Sequence, residues 1–333
     1  MKALVTTGHG DADVRDWPSP TAHGDQVAVR PLLVGMCGTD LELIDGSIDP
    51  AYVRYPLVLG HEWVGQLVND VEGVGVAGRR VVVEGIIPCG ECPACRRGAT
   101  NLCATYDEIG FTRPGAMAEL ITAPRSLVHQ LDDAVALEDA VLAEPMAVVW
   151  RALTRLPLRE NLSVAVIGDG TIALLAAYLA ATLAPADVTI VGRREAQRTL
   201  AKRTGATNFV LEAPATRFDL VIEAAGTVAS VHTAIEHCAR GGSVILLGLP
   251  PHGSGVEIAP DDIVNNDVIV QGSFSYTRDA FADVVAHLNA RQWQPSFLLT
   301  HRYSLDTAQA AVTALRTNEL DVVRGKVVVE IAP

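Results

Sequence analysis

The run Val164-Ala165-Val166-Ile167 leads straight into Gly168-Asp169-Gly170-Thr171-Ile172-Ala173 and then into a stretch rich in Ala and Leu. A strand that is apolar at every position is covered on both faces, as a parallel strand between two helix layers is. The same texture returns at 187–191, 218–224, 243–247 and 268–272, with helical stretches between. This alternation predicts a doubly wound α/β domain over residues 148–275. Gly168 permits the tight turn, Gly170 lets the backbone approach a phosphate, and Ala173 keeps the helix close to the strand. Together they would bring a helix N-terminus against a dinucleotide's pyrophosphate.

The end of the second strand bears on which dinucleotide. Thr189-Ile190-Val191 is followed by Gly192-Arg193-Arg194, where a domain that binds NAD usually offers an acid to the adenosine ribose. Two guanidiniums beside a small residue suit a 2′-phosphate, which Arg can meet with paired charge-assisted hydrogen bonds. The expectation is NADP(H) in preference to NAD(H); the alternative is that Arg193 and Arg194 are solvated positions opening a helix.

The rest of the chain has a different texture. Residues 1–136 carry short Val-rich strands at 26–34, 63–68, 80–84 and 118–122, broken by Gly and Pro, which is an antiparallel pattern. The C-terminal part adds helices at 278–289 and 305–317 and a strand at 326–331. The α/β domain is therefore inserted into, or appended beside, a β-rich domain built from both chain ends. In that domain Cys89, Cys92, Cys95 and Cys103 are separated by two, two and seven residues, a spacing that suits four thiolates on one tetrahedral Zn²⁺ with no open position, hence a structural site. Disulfides between cysteines so close would be strained. Cys238, in an apolar stretch at 231–239 read as helix, is expected to be buried packing.

At 333 residues and 49% hydrophobic content the chain can fill two cores, and its net charge of −13 gives no general attraction to nucleic acid or anionic membrane. The N-terminus reads as a short strand without signal-peptide character, and no apolar run reaches membrane-spanning length. A reducing cytoplasm is expected, which keeps the thiols available for metal.

Three further segments carry ligand-type residues beside glycines: Gly35-Met36-Cys37-Gly38-Thr39-Asp40, Gly60-His61-Glu62 and Ala143-Glu144-Pro145. With the four-cysteine lobe and the glycine-rich turn, they make the chain resemble the zinc-containing medium-chain dehydrogenase/reductase family of alcohol, polyol and sugar dehydrogenases along nearly its whole length. The resemblance implies a GroES-like β-rich catalytic domain (1–147 and 276–333, with the structural-zinc lobe at 85–104) and a Rossmann domain at 148–275. It also implies two zinc ions per chain. Cys37 and His61 correspond to the first two ligands of a catalytic zinc, and Glu144 to the third. Glu62 either lies behind the metal or exchanges with Glu144. One thiolate, one imidazole and one carboxylate leave a vacancy for an alcohol oxygen. The Thr39 hydroxyl can take the alcohol's proton, but the His that often ends the relay is Glu42 here, and Asp40 is expected to fix the loop. By the same resemblance Lys326 stands where relatives often place a basic residue against the pyrophosphate, although a surface position is its ordinary reading.

Glu at the third-ligand position and the scarcity of aromatic residues favour a polyhydroxylated secondary alcohol: a polyol, sugar or cyclitol. The chain also resembles NADP-preferring archaeal glucose dehydrogenases, in which a Glu reaches sugar hydroxyls; Glu119 is assigned to that place, while Ser275 stands where those enzymes have Asn. The expected partner is thus a small alcohol or its carbonyl product, with neither nucleic acid nor membrane, and a homodimer or homotetramer is expected. The competing readings are a zinc-free quinone or enoyl reductase and a non-catalytic NADP(H)-binding redox sensor.

Overall fold

The computed structural model describes residues 1–156, 161–183, 187–317 and 319–331. The other positions, which the expected domain ranges include, lie outside the described residues. The chain forms two compact units: Met1–Ala147 with Tyr276–Asn318 and Lys326–Pro333, and Val148–Ser275 with Glu319–Gly325.

In the first unit the main sheet runs in the order Leu299–Ser304, Lys326–Glu330, Gln26–Met36, Glu62–Leu67, Arg80–Val83, Val128–Gln130. Only the first pair is parallel. The long strand Gln26–Met36 is its spine, and Val29, Val34 and Met36 are buried with Leu59, Trp63, Val327 and Val329. Register places Gly35 opposite Val328 on one side and Glu62 on the other, so the loops bearing Cys37 and His61 leave the sheet at the same end. The strand read at 118–122 begins later, as Ile121–Pro124 paired to Gln26–Met36. Ala118 instead makes a single bridge to Ala3, and the amide of Leu4 donates to the Met117 carbonyl at 2.8 Å. This segment crosses to the small sheet Ala12–Asp16, Lys2–Thr6, Leu57–Val58 before it joins the main ladder.

Among the described residues the second unit holds six parallel strands in the order Asn208–Val210, Asp187–Val191, Ser163–Ile167, Phe218–Glu223, Cys238–Leu246, Ile269–Gly272. The winding reverses beside Ser163–Ile167, which puts a ligand crevice at that strand's carboxyl end. The edge strand Asn208–Val210 has only three residues and an exposed Asn, too little pattern to read from sequence. Cys238 is buried as expected but lies in a strand. The helix Val228–Glu236 ends before it, and the Arg240-Gly241-Gly242 interruption had concealed the strand's start. Among the described residues no helix is long and apolar enough to cross a membrane.

Candidate functional site

Cys37 ends the spine strand and caps the helix Gly38–Asp45. Its backbone N–H donates to Asp40 Oδ2 at 2.8 Å, which fixes the direction of the thiol. His61 follows Gly60, whose φ of +101° makes the turn. Its Nε2 lies 3.1 Å from Cys37 Sγ, and its Nδ1 faces Asp40 Oδ1 at 3.6 Å. Asp40, fully buried, therefore does more than shape a loop: it stands behind the imidazole and directs Nε2 toward the thiol. Burial alone would lower the His61 pKa, but the Cys37 and Asp40 charges outweigh it and hold it well above the usual value.

The third group at this point is Glu62. One ligand atom each from Cys37, His61 and Glu62 lies within 4.8 Å of the others, and Cys89, Cys92, Cys95 and Cys103 meet the same condition. Sulfur, imidazole nitrogen and carboxylate oxygen are the donor types a zinc ion takes. In the four-cysteine lobe the backbone N–H groups of Cys89, Cys92 and Cys95 point at the sulfurs of Cys103, Cys89 and Cys92 at 3.3–3.4 Å, as thiolates on a metal require. Backbone N–H groups hold the Cys92 pKa down to about 6. Both clusters thus fit the metal ions the sequence implied.

Glu144, near the start of the helix Ala143–Thr154, is outside the three-residue cluster. Its pKa is pushed up to about 8, first by burial and then by the Glu62 charge. Thr39 is half-buried in the first turn after Cys37. Lys326 differs from its expected place. It is 1% exposed, paired with the Glu62 carboxylate inside the first unit, and faces the Cys37 and Asp40 charges rather than solvent. Gly35 makes room for this pair, since a β-carbon there would collide with the Glu62 carboxylate and come within 2.7 Å of Lys326 Cε.

Glu119 also differs. It is exposed, and its carboxylate accepts the backbone N–H of Lys2 at 2.8 Å. The carboxylate that faces the cluster is Glu108, which sequence reading missed. It is 7% exposed, accepts a hydrogen bond from the Tyr106 hydroxyl, and interacts electrostatically with His61 and Glu144. Burial pushes its pKa up to about 7. The signal available was an acid in Asp107-Glu108-Ile109-Gly110, directly after the cysteine lobe.

In the second unit Gly168 has φ +124°, and a β-carbon there would lie 3.1 Å from the Ala224 carbonyl. Nothing lies within 4 Å of the corresponding point at Gly170, so the backbone at the start of the helix Thr171–Leu183 is open to a phosphate. Ala173 is fully buried against the sheet. Arg193 is exposed, whereas Arg194 is 5% exposed and its guanidinium holds the Asp169 carboxylate at 2.8 Å. Arg194 is therefore not a solvated position. Gly192 packs on Phe209, where a β-carbon would come within 2.6 Å of the ring.

A β-rich unit with two metal-ligand clusters among the described residues, in one chain with a dinucleotide-type α/β unit, defines an oxidoreductase of the alcohol and polyol dehydrogenase class. Residues 23–133 match the alcohol dehydrogenase GroES-like domain, and residues 138–331 match the glucose dehydrogenase C-terminus. Sorbitol dehydrogenase of Bacillus subtilis (strain 168) is 28% identical, with 94% of this chain and 92% of that protein covered. L-threonine 3-dehydrogenase of Streptomyces coelicolor (strain ATCC BAA-471 / A3(2) / M145) is 32% identical over 84% and 85%. Among solved structures, a Sinorhizobium meliloti 1021 protein bound to NADP superposes with a TM-score of 0.91 at 28% identity, over 99% of this chain and 98% of the other. Galactitol-1-phosphate dehydrogenase from Escherichia coli gives 0.86 at 28% identity, over 99% and 100%. The chain belongs to the zinc-type medium-chain dehydrogenase/reductase family.

Proposed function

We propose that this chain is a zinc-dependent dehydrogenase that moves hydride between a secondary alcohol of polyol, sugar or cyclitol type and NADP(H). The observation that carries the reading is the convergence of the Cys37, His61 and Glu62 ligand atoms, with Glu144 and Glu108 facing them. When bound, zinc makes the alcohol oxygen more acidic and the oxidised nicotinamide accepts the hydride. The alcohol carbon loses a hydride, the oxygen loses a proton, and the products are a carbonyl, NADPH and one proton.

The chain's own groups hold and orient. Cys37 and His61 hold the metal, with Asp40 fixing the imidazole. Either Glu62 or Glu144 completes the set. Lys326 neutralises Glu62, and this favours Glu144 as the carboxylate given up to a cation, because a nearby cation would draw off its proton. The Thr39 hydroxyl takes the alcohol's proton and passes it on. Glu108, held by Tyr106, accepts a hydrogen bond from a second hydroxyl of the substrate; this favours a polyhydroxylated substrate over a simple alcohol. The open backbone at Gly170 supports cofactor binding, and the NADP-bound neighbour supports NADP(H).

Metal analysis together with an NADP⁺ reduction screen over polyols, sugars and simple alcohols tests the reading. Two zincs per chain and turnover of a polyhydroxylated alcohol are expected. One zinc without turnover would favour a redox sensor, and no zinc a reductase that works without metal.

A further inference from the structure

Glu223 ends the strand Phe218–Glu223 and is fully buried. Register sets it level with Ile167, the residue before Gly168, on one side and with Leu246 on the other. It therefore stands at the carboxyl end of the sheet, where the ligand crevice of such a fold opens. Its Oε1 accepts the backbone N–H groups of Ala225 and Gly226, both at 2.8 Å. Its main-chain carbonyl accepts those of Leu247 and Gly248 at 2.9 and 3.1 Å. One residue thus braces the turns that follow two neighbouring strands.

The other carboxylate oxygen, Oε2, is buried without a hydrogen-bond partner, and no cation pairs with this carboxylate among the described residues. Leaving a buried oxygen in this state costs free energy. A brace for backbone N–H groups does not require that cost, because the neutral carbonyl of a Gln side chain accepts them equally well. The charge is therefore surplus to the turn. What lies against Oε2 is the bare backbone of Gly248, where a β-carbon would come within 2.7 Å of that oxygen.

The fold divides a dinucleotide between the two halves of this sheet. Adenosine goes with the strands Ser163–Ile167, Asp187–Val191 and Asn208–Val210, since the position that meets its ribose follows the second of them. The nicotinamide half then falls to the strands Phe218–Glu223, Cys238–Leu246 and Ile269–Gly272, the side that holds the uncompensated carboxylate. The oxidised ring is a cation, and accepting a hydride removes its charge. A buried negative charge attracts the first form and not the second.

We propose that Glu223 is a positioning residue with two duties: Oε1 holds the turn at Ala225 and Gly226, and the uncompensated charge favours the oxidised, cationic nicotinamide over the reduced one. The proposal rests on the dinucleotide part of the functional reading and is independent of the 2′-phosphate.

Binding of NADP⁺, NADPH and 2′,5′-ADP to the full-length, zinc-loaded protein, measured by titration calorimetry, tests it without turnover. Glu223→Gln keeps an acceptor for the two N–H groups and removes the charge. It is expected to weaken NADP⁺ about threefold to tenfold while NADPH and 2′,5′-ADP, which lack the cationic ring, stay within about twofold. Glu223→Asp keeps the charge on a shorter arm, so it should lower the melting temperature and leave the ratio of NADP⁺ to NADPH affinity within about twofold of the parent's. A Glu223→Gln variant whose NADP⁺ and NADPH affinities fall together would make Glu223 a brace alone and overturn the proposal, leaving the cofactor reading intact. Where Glu223→Gln does not fold, the aspartate variant decides, and a ratio that drops about threefold or more there overturns the proposal equally. A parent that binds neither form of the cofactor would overturn both readings.

Discussion

Lys326 and Glu62 are 1% and 2% exposed, and a buried charge is tolerated only beside a partner. Lys326→Met would strand the Glu62 carboxylate and is expected to cost about 3–5 kcal/mol in denaturant unfolding. Adding Glu62→Gln should recover most of that loss, and a double variant no more stable than the single would refute the pairing. Glu108 yields a test in pH. Its carboxyl titrates near 7 in the folded metal-free chain, against 4.5 ordinarily, so the folded state holds the proton more tightly. Its stabilising contribution is complete below about pH 4.5 and is lost as pH rises through about 7, a change on the order of 3 kcal/mol. Glu108→Gln should flatten stability over that window, and a slope unchanged from the parent would show that other groups set it. The contrast between Cys37 and Lys326 shows what was legible at this scale. Thiol and imidazole beside glycine turns announce themselves by residue type. The partner of Lys326 depends on strand register across three strands, and no single-chain pattern encodes that. Glu119 was mistaken for Glu108 because assigning an acid to the cleft depends on where segment 115–118 crosses between sheets.

Among elements, the cysteine lobe has little apolar content of its own, and only Ala94 of the helix Pro93–Arg96 is buried. A metal held by the four thiols is the expected source of its order. Cys95→Ser is expected to release one zinc and lower the melting temperature, while the metal bound at Cys37 and His61 stays; unchanged metal content would rule out a four-thiolate site. The end of the strand Asp187–Val191 behaves differently. Gly192 invited a simple exchange of cofactor preference by substitution to Asp, yet the Phe209 ring fills the space a β-carbon needs. Gly192→Asp should therefore destabilise the second unit by about 1–3 kcal/mol, the usual cost of overpacking. Arg193→Asp, at an exposed position, is the substitution expected to shift preference toward NAD⁺ without that penalty. Five of the six parallel strands were legible because each is an apolar run. The sixth, Asn208–Val210, is ordered by pairing with Asp187–Val191 and not by its own composition.

For the whole molecule, a formal charge of −13 repels an anionic cofactor at long range, so any preference for the more highly charged dinucleotide must come from a local cluster of cations. Such short-range contacts at a half-exposed site are weakened by salt, with a screening length falling from about 10 Å at 0.1 M to about 3 Å at 1 M. NADP⁺ and NAD⁺ share the pyrophosphate, so their response to salt differs only through the 2′-phosphate. Raising ionic strength from about 0.05 to 0.5 M is expected to weaken NADP⁺ binding by roughly tenfold and NAD⁺ binding by no more than about threefold. Equal slopes for the two cofactors, measured on the parent by equilibrium titration, would mean that no guanidinium contacts the 2′-phosphate. Arg193 would then be only a solvated position after the strand Asp187–Val191.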